Sequence, residues 1–190
     1  MKLEIKNLSK KFEKKEVLNN INLEVKSGEV VSLVGRNGSG KTTLLKLITG
    51  VYQLDTGEIT IDGVNIEQNN LKSNIIYIPD KFDYFKYTKM KNIIKYYALA
   101  YDNFDEKFFK KELEKNKISL NKKVTELSKG QTVIFGVILG LACKTNFLLL
   151  DEPLEIKEAT FLVVEDQIIF SSTVKNLYQY SEESDIKLFD

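Results

Sequence analysis

Histidine is absent from the 190 residues, and with it go imidazole general bases and histidine metal ligands. Cysteine occurs once, as Cys143, which excludes an internal disulfide framework and a clustered cysteine metal site. Its place at the end of the apolar run Val137-Ile138-Leu139-Gly140-Leu141-Ala142-Cys143 marks it as a small core residue. No stretch approaches the roughly 20 apolar residues that a membrane-spanning helix needs. The N-terminal MKLEIKNLSKKFEKK alternates in polarity and is charged too often for a signal peptide. A soluble, cytoplasmic protein is expected, one that meets a membrane only by docking onto something embedded there. Nor does one sign of charge dominate. The chain has 28 Lys plus Arg and 27 Asp plus Glu, a net charge of +1, which argues against a dedicated nucleic-acid binder. The balance breaks down locally: residues 81–123 hold 12 lysines and 6 acids, residues 151–190 only 3 lysines and 10 acids. The basic stretch reads either as solvated helix faces or as a lobe lying near anionic lipid or a partner.

What is present is enough for one folded domain. Hydrophobic residues make up 43% of the chain, sufficient to bury a core. Leu3, Ile5 and Leu8 alternate with polar residues as strands do, and so does the second half of Val17 to Val25. Val30-Val31-Ser32-Leu33-Val34 and Phe147-Leu148-Leu149-Leu150 are the short, nearly continuous apolar runs of buried parallel strands. Gly57 to Gly63 reads as a strand entering an Asp-Gly turn, and Gln167 to Ser171 as a further strand. Helices are expected over Lys41–Thr49, over a face bearing Met90, Ile93, Ile94, Tyr97 and Tyr101, over Phe104–Lys117, and from a Ser128 cap to about Lys144. Strands separated by helices predict an α/β fold with a mainly parallel sheet, an N-terminal antiparallel β part and an inserted helical lobe. The expected division of a single domain spanning 1–190 is a β part with the core of the site over 1–81, the helical lobe over 82–126 and the rest of the core over 127–190.

Gly35-Arg36-Asn37-Gly38-Ser39-Gly40-Lys41-Thr42-Thr43 has the pattern of a phosphate loop, with a buried strand before it and a helix after it. Glycines let the backbone wrap until amide N–H groups converge on an anion, and the helix N-terminus adds partial positive charge. Lys41 is expected on the β- and γ-phosphates of a bound nucleotide, and the Thr42 hydroxyl on a magnesium ion. Asp151 and Glu152 end the strand Phe147–Leu150. There Asp151 is expected to serve the magnesium and Glu152 to act as catalytic base toward the attacking water. A P-loop NTPase fold follows from this pairing, but many activities share that fold. A guanine reader of Asn-Lys-x-Asp type is missing, since Asn121-Lys122-Lys123-Val124 lacks the aspartate.

Leu127-Ser128-Lys129-Gly130-Gln131 narrows the choice. It resembles the Leu-Ser-Gly-Gly-Gln signature of ABC-type ATPases and stands, as there, upstream of the Asp-Glu strand end. The resemblance covers nearly the whole chain. It implies an ATP-binding, ATP-hydrolysing subunit that powers a membrane transporter, of the kind serving exporters of drugs, peptides or similar cargo. It also implies a cytoplasmic place on the inner face of the membrane, with an integral membrane subunit as partner. Two copies, or one copy and a paralogue, would close head-to-tail over ATP, with Ser128, Lys129, Gly130 and Gln131 of one facing the phosphate loop of the other. Phe12 stands where the family has an aromatic residue stacked on adenine, though a β-core place is its other reading. Asn74-Ile75-Ile76-Tyr77-Ile78-Pro79-Asp80 resembles the segment leading to the family's glutamine. Asp80 in that place is either a magnesium ligand or a surface acid. Long inserted coiled coils, found in chromosome-maintenance relatives, are not present, nor is the second cassette of ribosome-acting ones.

Two departures matter. Leu154-Glu155-Ile156-Lys157-Glu158 matches the family's interface loop poorly. Thr173 stands where the family has its switch histidine; threonine can donate a hydrogen bond to a phosphate oxygen but cannot carry an imidazolium charge. Loss of one transition-state contact costs about 10²–10³ in rate. Slow hydrolysis with ATP binding retained is therefore expected, and a sensor-like module without turnover is the alternative.

Overall fold

The computed structural model describes residues 1–67, 73–151, 168–172 and 185–188. β1 (Lys2–Phe12) and β2 (Lys15–Lys26) form an antiparallel pair, with Leu3 opposite Val25 and Ile5 opposite Leu23. All four are buried, because residues two apart share a face and the apolar set of each strand turns to the same side. β4 (Thr56–Ile61) lies on the other flank of β1, placing Ile61 against Leu3 and Ile59 against Ile5. β5 (Val64–Asn65) follows after Asp62 and Gly63, whose φ values of 49° and 80° are the paired positive angles of a tight hairpin turn. The sheet runs β2-β1-β4-β5.

The second sheet is parallel throughout. It orders β6 (Ile75–Ile78), β7 (Phe147–Asp151), β8 (Ile168–Ser172), β3 (Val30–Val34) and β9 (Asp185–Leu188) side by side. Both faces are covered, as parallel sheets require. On one face Ile75, Phe147 and Leu149 join a core with the first sheet and with Leu44, Leu45, Leu47 and Ile48 of α1 (Lys41–Ile48). On the other, Ile76, Ile78, Leu148 and Leu150 join α2 (Met90–Ala100), α3 (Glu106–Lys115) and α4 (Lys129–Ala142). The two-residue period of β6 and β7 thus sorts their side chains between two cores. The expected helices and strands are found close to their predicted bounds; β5, β6 and β9 were not among them. Among the described residues no helix is long and apolar enough to cross a membrane.

α3 shows how a local rule fixes an element. Asp105 accepts from Phe108 N (2.9 Å) as N-cap, and Lys144 Nζ lies 2.8 Å from its carboxylate. The Lys144 hydrogen bond, followed by that from Phe108 N, holds the Asp105 carboxyl below its ordinary range. A folded value below the unfolded one means stabilisation that is present above the unfolded value and is lost as pH falls through the folded one. Asp105→Asn keeps a cap acceptor but cannot titrate, so its urea midpoint should fall less steeply with acidification than that of the unaltered chain. Equal slopes would count against the assignment.

Candidate functional site

The site is built where strand ends meet. Val34, last residue of β3, is in register with Ser172 of β8, and Ser171 of β8 with Asp151 of β7. From Val34 the chain enters the glycine loop, with Gly35 buried, and leaves it into α1. Ser39 N donates to Arg36 O (3.1 Å), tightening the turn. Gly40 has φ 97°; a Cβ there would lie 2.6 Å from Leu18 Cδ2 and 3.0 Å from the Val17 carbonyl oxygen. The loop is therefore seated on β2, at a spacing that only glycine allows. The first turn of α1 carries no acidic residue and no side-chain cap, which leaves its N–H groups and their partial charge for an anion.

Lys41 is 5% exposed. Its ammonium donates to the carbonyl oxygens of Gly35 (2.9 Å) and Arg36 (3.0 Å), so the cation lies across the loop. Ser39 Oγ is buried with no hydrogen-bond partner among the described residues, a costly state that a ligand with acceptor oxygens would relieve. Thr42 and Asp151, 109 positions apart in sequence, meet at 3.0 Å, the Thr42 hydroxyl donating to Oδ1. The Tyr77 hydroxyl donates to the other carboxylate oxygen, Oδ2, at 2.8 Å. Burial first, then the Asp151 charge, pushes the Tyr77 phenol far above its ordinary range, so it remains a donor at any physiological pH. Among the described residues no cluster of three or more His, Cys, Asp or Glu is arranged to hold a metal. A hydroxyl and one carboxylate beneath a phosphate loop instead suit magnesium, which keeps waters and takes substrate phosphate oxygens alongside one or two protein groups.

Asp80 is exposed and lines a cavity of about 20 Å³ together with Ile78, Phe82, Thr132, Gly136 and Asp151. That is room for about one water molecule. Phe12 is 39% exposed and does not belong to the β-core. Its ring meets Tyr52 edge-on at 5.3 Å, with Lys10 Nζ 5.3 Å from its centroid, while Lys46 of α1 lies over Tyr52. Ser128 caps α4 as expected. Its Oγ accepts from Gln131 N, and Gln131 Oε1 accepts from Ser128 N, each at 3.2 Å, a reciprocal capping box. Lys129 is exposed at the same turn, and the space beside Gly130 is open. Arg36 and Asn37 are exposed on the loop, and Thr43 is half-buried in the first turn of α1. Glu152, the segment Leu154–Glu158 and Thr173 lie outside the described residues. Tyr77 and Tyr52 were missed by sequence reasoning. Both depend on which strand or helix lies opposite, which a linear pattern does not carry.

The profile of the family described as ABC transporter matches residues 18–155, the stretch holding the loop, Asp80, the Ser128 cap and Asp151. The chain belongs to the ABC transporter family. The ABC transporter ATP-binding protein YtrB of Bacillus subtilis is 35% identical over 152 residues, covering 80% of this chain and 52% of that protein. The spermidine/putrescine import ATP-binding protein PotA of Fusobacterium nucleatum is 34% identical over 165 residues, 83% of this chain and 43% of that one. This ABC chain thus spans about half the length of the curated relatives it matches. An ABC transporter ATP-binding protein of Pyrococcus furiosus superposes with a TM-score of 0.80 at 28% identity, over 100% of this chain and 98% of its own. An ATP-bound bacterial Atm1-family ABC exporter shares the fold, with a TM-score of 0.80 at 20% identity over 100% of this chain and 37% of that one. The P-loop α/β fold, and ATP as the nucleotide bound by this family, stand on these likenesses.

Proposed function

We propose that this chain binds ATP with magnesium and hydrolyses it slowly, as one of two nucleotide subunits that drive a membrane-embedded transporter. The single observation that carries the reading is the Thr42–Asp151 contact beneath a glycine loop whose Ser39 hydroxyl lacks a partner. Gly35 to Thr43 hold the triphosphate through main-chain N–H groups and Lys41; Thr42, Asp151 and Asp80 serve the metal. Bound magnesium would neutralise charge between the β- and γ-phosphates. Phe12 lies under the base, supported from the side by Tyr52. Glu152, next after Asp151, is the base toward water. Ser128, Lys129, Gly130 and Gln131 complete a second copy's site, since α4 presents an exposed, capped N-terminus there.

The helical segment over 82–126 is the surface for the membrane subunit. Tyr97 and Tyr101 stack at 5.9 Å and are half-buried, while Tyr96 and Leu99 are 57% and 88% exposed on the same helix region. An exposed aromatic and aliphatic stripe of this kind suits a short cytoplasmic helix of a partner. Location on the inner membrane face follows from that docking.

Slow turnover follows from Thr173. Phosphate release is the test, with Glu152→Gln as the inactive control. The expected result is magnesium-dependent ATP binding, weak turnover, and a rise of at least about tenfold in Thr173→His as a missing transition-state contact is restored. Brisk turnover in the unaltered chain would refute the slow-hydrolysis part, and its complete absence even in Thr173→His would favour a sensor-like module. Folded protein without magnesium-dependent affinity for ATP would end the whole reading.

A further inference from the structure

Asp151 has one hydrogen-bond donor on each carboxylate oxygen, Thr42 on Oδ1 and Tyr77 on Oδ2. The first belongs to the phosphate loop's own helix. The second comes from a different strand and has no place in the nucleotide scheme so far. Its origin lies in the register of two parallel strands. Tyr77 of β6 stands opposite Leu149 of β7, so Asp151, two residues further on, shares its face and is its diagonal neighbour. A tyrosine is long enough to cover that diagonal. Ile76 and Ile78 point to the opposite face, into the core of α2 to α4, while Tyr77 packs against the core that includes α1. The hydroxyl therefore reaches Asp151 on the sheet face that α1 covers, taking Oδ2 while Thr42 takes Oδ1.

A carboxylate on the last residue of a strand has free rotation about its side-chain bonds unless something holds it. Asp151 is 6% exposed, and Tyr77 is half-buried beside it. A donor fixed on Oδ2 by a packed ring leaves Oδ1 facing Thr42 and turns one lone pair of the carboxylate away from competition. Loss of a group that orients a metal ligand through its second atom commonly costs about 10–100-fold in metal affinity.

We propose that Tyr77 is the positioning residue of the metal-binding carboxylate, its hydroxyl clamping Asp151 Oδ2 so that Oδ1 stays aligned with the Thr42 hydroxyl for magnesium. The inference rests on the nucleotide reading above. Tyr77 touches neither phosphate nor metal; it acts through Asp151. Its contribution lies in the metal-dependent part of nucleotide affinity and not in the phosphate loop's own grip.

Calorimetric titration of ATP separates the two parts, run once with chelator and once with magnesium, on the unaltered chain, Tyr77→Phe, Asp151→Asn and the double variant. Tyr77→Phe retains the ring and removes a single oxygen, so strand packing is preserved. It should bind ATP within about twofold of the unaltered chain in chelator and lose roughly tenfold or more of the gain that magnesium confers. In the Asp151→Asn background the same change should have no further effect on that gain, because both act on one group. Tyr77→Phe with the full magnesium gain would overturn the proposal, as would equal losses in both arms or additive losses in the double variant. No magnesium-dependent affinity in the unaltered chain would instead overturn the nucleotide reading on which it stands.

Discussion

Lys41→Ala is expected to reduce ATP turnover by about 10²–10³-fold and to weaken ATP binding in parallel. The ammonium of Lys41 is buried at 5% exposure and already turned onto the loop, where it bridges the carbonyls of Gly35 and Arg36. An ammonium has three donors, so the third remains for a phosphate oxygen without dismantling the bridge. Its charge lies where the triphosphate must lie, and removing it deletes both a counter-charge and a strut of the loop. Lys41→Arg should fail almost as badly. A planar guanidinium is wider and cannot place a point charge between two carbonyls 2.9 and 3.0 Å away. Phosphate release and ATP titration on the two variants check this. Turnover retained in Lys41→Ala would show that the loop is not the triphosphate's seat.

Gly57→Ala should have the largest effect on stability of any single methyl added to the first sheet. Gly57 has φ 89°, and a Cβ there would come within 2.6 Å of Asn7 O, Leu8 Cα and Lys6 O. All three are backbone atoms, so no side chain can swing aside. The cause lies in β1, whose pairing with β4 shifts register between Lys6 and Ser9, with Asn7 at φ 49°. A bulge of this kind drives one strand toward its partner, and Gly57 is the residue that receives it. Left-handed strain and overpacking each cost about 1–3 kcal/mol, so a loss of about 3 kcal/mol or more in urea unfolding is expected. An unchanged midpoint would mean that β1 and β4 are not held at this spacing.

The phosphate loop and the α4 cap were legible in the sequence because each is a local device. A five-residue apolar run, a glycine turn and a lysine-threonine helix start need no distant partner to be recognised. Ser128 and Gln131 likewise satisfy each other within one turn. The Asp151 site was legible only in part. Its contact with Thr42 could be expected from the two motifs together, whereas Tyr77 reaches it across 74 positions of sequence through strand register alone. Phe12 was left between two readings because its alternation suits a core strand, and only its exposure and its edge contact with Tyr52 place it outside the core. β9 carries a lysine at the centre of Asp185-Ile186-Lys187-Leu188, which hides a strand from any apolar-run criterion even though it pairs with β3.

The placing of β8 bears on how the chain is assembled. β3 and β7 are not neighbours; β8, drawn from the last quarter of the sequence, is inserted between them and pairs with both. The antiparallel sheet needs nothing beyond Asn65 and can form while synthesis continues. The strand bearing the loop and the strand bearing Asp151, by contrast, share no ladder until Ile168–Ser172 has emerged from the ribosome. Until then each presents an unpaired edge toward the other, a state open to wrong pairing. A nascent chain stalled before Ile168 would therefore own both halves of the cleft yet lack the stave that joins them.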